Sequence, residues 1–325
     1  MRPTKKEQPK EKPKLHPRNK NLERYDFKLL IEGSPELAPF VKPNIHGEDS
    51  VDFNDTEGVK VLNKALLLHH YGISNWNLPN GYVYPPIPGR ADYIHHMADF
   101  LCRNNYGKIP SGSQIKCMDV GVGASCIYPI IGNKEYGWSF IGSDIDPVAT
   151  ESANHIIESN PTLQGKVNCK LQTNPKDYFY GIIRKDELID LSICNPPTLA
   201  FTKEAEALTT KKILPIHPDE STEPIPALGS QNHENYCDGG EDKFVRNMIL
   251  QSKKFAANCF CFSTLVSKES NLKSMYRTLE QVEAYGIETI PMGQGNKASY
   301  IVVWTFLTTE EQNKWKNERW KVVKT

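Results

Sequence analysis

Gln114-Ile115-Lys116-Cys117-Met118-Asp119-Val120-Gly121-Val122-Gly123-Ala124 reads as a short apolar strand running into a glycine turn, and Ser125-Cys126-Ile127-Tyr128-Pro129 reads as the start of a helix. Two glycines let the backbone approach a bound group with no Cβ in the way. A dinucleotide fingerprint would carry a third glycine where Cys126 stands, so a pyrophosphate-binding nicotinamide site is the weaker reading. Downstream, Trp138-Ser139-Phe140-Ile141-Gly142-Ser143-Asp144 reads as a second strand that ends in a carboxylate. Asp144 lies 21 positions after Gly123, the spacing at which an acid at a strand tip accepts from two ribose hydroxyls.

Some seventy residues beyond the glycine turn, Asp190-Leu191-Ser192-Ile193-Cys194 forms another apolar run, closed by Asn195-Pro196-Pro197. Consecutive prolines cannot donate to a sheet ladder, so the strand has to stop and the chain has to leave the sheet. The stop leaves two acceptors at the strand end, the Asn195 side-chain carbonyl and the Pro196 backbone carbonyl. Ligands of open α/β sheets bind beyond the carboxyl ends of the strands, where these groups would stand. Glycine turn, ribose-type acid and Asn-Pro-Pro in this order describe an S-adenosylmethionine site set up to methylate an amine.

Outward from these landmarks, strands are expected near 115–120, 138–143, 167–172, 189–194, 259–265, 286–291 and 300–307, with helices between most of them. Alternation of strand and helix implies right-handed crossovers and a mostly parallel sheet. The last two strands, joined by Met292-Gly293-Gln294-Gly295-Asn296-Lys297, are expected as an antiparallel edge hairpin. Asp242 to Ala257 places Phe244, Val245, Met248, Ile249 and Phe255 on one helical stripe. Earlier in the chain the spacing predicts helices over Val59 to Tyr71 and, after a stop at Pro85-Pro86-Ile87-Pro88-Gly89, over Ala91 to Cys102, with Arg90 at the helix entrance. The fold class is thus α/β, a class I, Rossmann-like methyltransferase sheet of seven strands with an N-terminal helical extension.

Composition sets bounds on the partners. Net charge is zero, yet the first twenty residues hold eight Lys or Arg against two Glu, so charge is segregated along the chain. Residues 1–14 lack apolar residues beyond Met1 and are expected to be a disordered basic leader. It has no apolar core of a secretory signal, and no run in the chain approaches a transmembrane helix, which points to a cytoplasmic protein with no membrane partner. Lys14 and Arg18 are expected to meet RNA phosphate. Eight cysteines, at 102, 117, 126, 169, 194, 237, 259 and 261, include no CxxC pair and read as small buried hydrophobes rather than metal ligands. His95 and His96, beside Tyr93 on a helix, read as packing or RNA contact.

Several segments carry a family resemblance: Leu15-His16-Pro17-Arg18-Asn19, Ser50-Val51-Asp52-Phe53, Leu62-Asn63-Lys64-Ala65-Leu66-Leu67, Pro88-Gly89-Arg90-Ala91-Asp92-Tyr93-Ile94-His95-His96, and Asp119 through Pro129. From about Leu15 to Phe306 the chain resembles the bacterial 23S ribosomal RNA adenine-N6 methyltransferase F family, whose eukaryotic relatives are the methyltransferase-16-like RNA adenine-N6 methyltransferases. The resemblance implies methyl transfer from S-adenosylmethionine to N6 of adenine 1618 in 23S rRNA, free or in a large-subunit assembly particle. It assigns cofactor contacts to Arg90, Gly121, Gly123, Ser125, Asp144 and Asn195, and the chemistry to Asn195, Pro196 and Pro197, with no metal. It implies a mostly helical RNA-binding region over 15–110 and a methyltransferase domain over 111–325.

One departure concerns the substrate. The family has an aromatic residue after the two prolines, and here Thr198 stands there, with Phe201 the next ring. Stacking on an extruded adenine is expected to pass to Phe201 or to be weakened at Thr198. The segment from Lys203 to Gln231 also differs from the family's basic, glycine-containing insert. The alternatives left by the residues are a catalytically weakened RNA-binding relative, and a methyltransferase acting on a protein amide or DNA adenine.

Overall fold

The computed structural model describes residues 15–44, 46–197, 199–200, 236–237, 239–294 and 297–320. Lys14, Thr198 and Phe201 lie outside them, as do the basic leader and the insert from Lys203 to Gln231.

The chain enters through an extended arm and a short helix α1 (Phe27–Gly33), a 3-10 turn (Pro35–Phe40) and a two-stranded ladder of β1 (Val41–Pro43) with β2 (Asp49–Val51). Helix α2 spans Thr56–Tyr71 and starts three residues before the expected Val59, because the Asp55 carboxylate caps it by accepting from the Glu57 N–H. Helix α3 spans Ile87–Asn104. The Pro-Ile-Pro-Gly segment expected to precede this helix in fact opens it. A proline in a first turn sacrifices an N–H that has no acceptor there, and its φ suits the helix. Arg90 accordingly sits in the first turn of α3.

The sheet then builds from β3 (Lys116–Val120), α4 (Ile127–Tyr136), β4 (Ser139–Asp144), α5 (Pro147–Ser159), β5 (Val167–Leu171) and β6 (Leu191–Cys194). A two-residue parallel ladder of β7 (Leu199–Ala200) with β8 (Tyr236–Cys237) precedes helix α6 (Gly240–Ser252). The helix gives way to a 3-10 turn at Lys253–Phe255, inside the span expected to be helical throughout. Strand β9 (Phe262–Val266), helix α7 (Glu269–Gln281), β10 (Gly286–Gln294), β11 (Lys297–Thr305) and α8 (Thr309–Trp315) complete the chain, followed by a π turn at Lys316–Trp320. Strand order is β10-β11-β9-β6-β3-β4-β5. The expected edge hairpin is present, but its strands reach Gln294 and Lys297, so most of the expected connector is ladder.

All pairings from β9 to β5 are parallel, and only β10 and β11 run against their neighbours. The chain walks outward from β3 through β4 to β5 and then crosses to β6 on the other side of β3. Such a reversal opens a crevice at the carboxyl ends of β3 and β6. One face of the sheet is buried under α2, α3, α4 and α5 in a continuous cluster that includes Leu66, Ile94, Met97, Ile130 and Trp138. The other is covered by α6 and α7, with Phe179, Met248, Ile249, Phe262 and Trp304 in its core. No helix among the described residues is long and apolar enough to cross a membrane.

Candidate active site

The glycine turn is held open by its neighbours. Gly121 and Gly123 have φ of +76° and +63°, a region that residues with a Cβ enter only at a cost. The Gly121 and Val122 N–H groups both donate to the Ser143 carbonyl, at 2.8 and 2.9 Å, which pins the turn to the end of β4. On its outer side, the Ser152 hydroxyl donates to the Ala124 carbonyl (3.0 Å) and the Trp76 indole N–H to the Ser125 carbonyl (2.7 Å). The position where a dinucleotide motif has its third glycine is also left-handed, with Cys126 at φ +52° capping α4. A Cβ there costs about 1 to 2 kcal/mol, which the surrounding contacts must offset.

Asp144 ends β4 beside this turn. Its Oδ2 accepts from the Gly123 N–H at 2.9 Å and its Oδ1 from the Asp146 N–H at 3.0 Å. Each oxygen keeps a lone pair for a ligand hydroxyl, and burial pushes its pKa above the ordinary value. Asp146 caps α5 through the Val148 N–H and accepts the Tyr82 hydroxyl at 2.5 Å, which ties the loop before α3 to the same corner.

Buried Asp119 and half-buried Arg90 carry opposite charges near the carboxyl end of the sheet, and each has polar atoms without a partner among the described residues. Asp119, at 0% exposure near the end of β3, has no hydrogen-bond partner on either carboxylate oxygen among the described residues. Burial pushes its pKa up to about 8, the charge of Asp144 adds to the rise, and Arg90 opposes it. Arg90 donates from Nη1 to the Tyr128 hydroxyl (2.9 Å) and lies over that ring with its guanidinium carbon 5.5 Å from the centroid, while its Nε is buried and unpaired. Buried polar groups are normally satisfied, so an orphan pair of this kind points to a ligand.

Asn195 and Pro196 follow β6 directly and line a cavity of about 150 Å³ together with Gly89, Arg90, Glu241 and Met292. Pro197, the next residue, is half-buried. Glu241, at the first turn of α6, accepts from the Ser267 N–H (3.0 Å) and hydroxyl (2.5 Å) and from the Asn271 side chain (2.7 Å), so its carboxylate joins α6 to the loop after β9.

The structure therefore brings Arg90, Gly121, Gly123, Asp144, Asn195 and Pro196 around one crevice, with Ser125 buried behind the turn. Arg18, expected at RNA phosphate, is paired within the chain while its side chain stays 39% exposed. It donates to Asp99 (2.6 Å), the His95 carbonyl (3.1 Å) and the Tyr136 hydroxyl (3.1 Å), docking the N-terminal arm on α3 and α4. His95 is packed beneath it, with burial pushing its pKa down to about 3. Cys117, Cys126, Cys169, Cys194, Cys259 and Cys261 are free and buried, Cys102 is free and half-buried, and no group of His, Cys, Asp or Glu among the described residues could hold a metal ion. Asp119, Tyr128 and Glu241 were given no role in the sequence reading. Asp119 had a visible signal, a lone carboxylate inside an otherwise apolar strand two residues before the first glycine.

Sheet order, switch-point crevice and glycine turn together define a class I, Rossmann-like methyltransferase fold. The family model described as RNA methyltransferase matches residues 9–308. The chain is 52% identical to the ribosomal RNA large subunit methyltransferase F of Cytophaga hutchinsonii, covering 98% of both chains, and 46% identical to that of Photobacterium profundum, covering 97% of this chain and 98% of the other. It belongs to the ribosomal RNA large subunit methyltransferase F family and is an RNA methyltransferase. Among solved structures it is similar to the hMettl16 catalytic domain in complex with MAT2A 3'UTR hairpin 1, with a TM-score of 0.74 and 25% identity over 91% of this chain and 96% of that one. It also shares its fold with the N-terminal domain of human METTL16 in complex with SAH, at a TM-score of 0.71 and 23% identity, over 91% of this chain and 100% of the other.

Proposed function

We propose that the protein transfers the methyl group of S-adenosylmethionine to the exocyclic N6 of one adenine in 23S rRNA, adenine 1618 by family resemblance. The observation that carries this reading is the orphan pair Asp119 and Arg90 at the switch point beside Asn195-Pro196. A methionine moiety presents an ammonium and a carboxylate, which are the charges that an unpaired aspartate and an unpaired guanidinium nitrogen would each accept. Asp144 has lone pairs to spare for a ribose diol, and the positive φ of Gly121 and Gly123 keeps the turn clear of a side chain. S-adenosylmethionine supplies a methyl already activated on a sulfonium, so positioning carries much of the rate.

The acceptor side rests on Asn195 and Pro196. The N6 lone pair of adenine is delocalised into the ring, and attack requires the nitrogen to become tetrahedral. Its two N–H groups would donate to the Asn195 side-chain carbonyl and the Pro196 backbone carbonyl, and both bonds strengthen as positive charge develops on nitrogen. The surplus proton then leaves to water, and no carboxylate base is needed. Pro197 stiffens the turn that holds these acceptors. The adenine must be unstacked to reach them, with Phe201 or the site at Thr198 covering its face.

Labelled S-adenosylmethionine incubated with rRNA from a strain lacking the gene, followed by nucleoside mapping by mass spectrometry, tests the proposal. The expected product is N6-methyladenine at one position. Methylation on another atom or another base would overturn the acceptor assignment, and no transfer at all would favour a weakened RNA-binding relative.

A further inference from the structure

The end of β6 is held by two side chains, one from the neighbouring strand β9 and one from outside the sheet. On one side β6 pairs with β3 through to Val120 and Cys194. On the other it pairs with β9 at Ser192 and Phe262, after a bridge between Ile189 and Cys259, and among the described residues the ladder goes no further. The Cys194 N–H then points to the Tyr93 hydroxyl, at 3.4 Å. Tyr93 belongs to α3, 101 residues away in sequence, and is fully buried. Its hydroxyl lies 2.9 Å from the hydroxyl of Ser263 on β9, and the Ser263 hydroxyl donates to the Ser192 carbonyl at 2.8 Å.

The donors can be ordered. Ser263 has one hydroxyl hydrogen and gives it to Ser192, so Tyr93 must be the donor in the hydroxyl pair, and its oxygen is free to accept from Cys194. The result is a closed relay from the Cys194 N–H through Tyr93 and Ser263 back to the Ser192 carbonyl. It fixes the last turn of strand backbone before Asn195. Burial drives the Tyr93 pKa upward, so it remains a neutral donor.

Tyr93 also reaches the other wall of the crevice. It lies three residues after Arg90 on α3, and Tyr128, which accepts from Arg90, meets the Tyr93 ring edge-on at 5.4 Å between centroids and 84° between planes. One side chain thus touches both the support of Arg90 and the strand end that carries Asn195. We propose that Tyr93, acting with Ser263, is a positioning residue for methyl transfer, setting the Cys194 peptide so that the Asn195 and Pro196 carbonyls meet the acceptor amine in register with the Arg90 side of the site. The inference rests on the acceptor role given to Asn195 and Pro196 above.

The test compares Tyr93→Phe, Ser263→Ala, Ser263→Thr and Asn195→Ala with the parent in single-turnover methyl transfer to rRNA, with cofactor and RNA affinities and thermal unfolding measured on each protein. Tyr93→Phe keeps the buried ring and removes only the relay hydroxyl. A misplacement of the acceptors costs roughly 10- to 100-fold in rate, so that fall is expected for Tyr93→Phe and Ser263→Ala, with both affinities within about twofold of the parent. The double variant should be no slower than the slower single one, because either change opens the same relay. Ser263→Thr keeps a hydroxyl and should restore most of the rate. A purely structural relay would lower the unfolding temperature and leave the rate of the folded protein unchanged, and that result overturns the proposal. If Tyr93→Phe fails to fold, Ser263→Ala alone decides by the same criterion. An inactive Asn195→Ala beside fully active Tyr93→Phe and Ser263→Ala removes the positioning role and leaves the acceptor reading intact. An active Asn195→Ala removes the acceptor reading, and the positioning role falls with it.

Discussion

Two buried aspartates sit on the two central strands, at opposite ends of the sheet, and their surroundings could hardly differ more. Asp190, at the start of β6, is saturated: Oδ1 accepts from the Trp315 and Trp320 indoles (2.8 and 2.7 Å) and from Arg319 Nε (2.9 Å), and Oδ2 from Arg319 Nη2 (2.6 Å) and the Lys116 N–H (2.8 Å). Asp119, near the end of β3, is equally buried and has no partner on either oxygen. The first carboxylate is a clasp that fastens the C-terminal α8 and its π turn to the floor of the sheet. The second is a group left unsatisfied among the described residues, two residues before the glycine turn. Burial alone does not distinguish structure from function here, and the presence or absence of donors does.

The largest expected effect breaks the clasp. Asp190→Ala strips a half-buried guanidinium and two buried indoles of their carboxylate, a change that costs up to about 3 to 5 kcal/mol where the pair is buried. Urea unfolding should show that loss, while cofactor affinity of the protein that remains folded should be close to the parent's. An unchanged midpoint would mean that the C-terminal segment docks through the rings of Trp315 and Trp320 on Phe260 rather than through Asp190.

At the other end of β6 the expected loss is kinetic. Asn195→Ala should slow methyl transfer by roughly 10²- to 10³-fold, the range seen when one donor or acceptor tuned to a transition state is removed. Cofactor affinity should fall far less, because the interaction strengthens only as the amine becomes tetrahedral. Equal losses in binding and turnover would demote Asn195 to a strand terminator. Next in size is Asp144→Ala, expected to weaken S-adenosylmethionine binding by ~1.5 to 3 kcal/mol, as for hydrogen bonds to a charged group. Unchanged affinity by calorimetry would remove the ribose assignment.

What the sequence made legible follows the same division. Strand positions, glycine turn, Asp144 and Asn-Pro-Pro are local signals: apolar runs, punctuation by Gly and Pro, and one spacing. They placed all seven strands and most of the crevice. Contacts across long sequence distance left no such mark. The Arg319 clasp spans 129 positions and the Tyr93 to Ser263 pair 170, and nothing near either residue announces its partner. Arg18 is a third case, since a basic residue beside a basic leader gives no sign of its ion pair with Asp99, 81 positions away. The start of α3 was misplaced because prolines were read as a stop, although in a first turn they favour the helix. Asp119 was visible as a residue, but whether a buried acid is satisfied can only be decided in three dimensions.

The sharpest test of the comparison concerns protons on Asp119. Its pKa is raised to about 8 in the folded protein, from an ordinary value of 3.8. Below the ordinary value the group is protonated in both folded and unfolded chains and costs nothing. As pH rises the unfolded chain ionises first, so the folded state loses stability progressively between about 4 and about 8, and above that both states are ionised and the loss stops. Asp119→Asn cannot ionise and should be flatter over this window, with the ligand-free protein near pH 8 at least as stable as the parent. The same substitution should weaken S-adenosylmethionine binding, since an amide cannot neutralise an ammonium. In the parent, a cationic ligand should drive the proton off Asp119. Calorimetry below pH 8 in buffers of different ionisation enthalpy should therefore register proton release on cofactor binding, absent in Asp119→Asn. Identical proton release from the two proteins would mean that the ligand's ammonium does not meet Asp119, and the unsatisfied carboxylate would then have no more functional meaning than the satisfied one at the far end of the sheet.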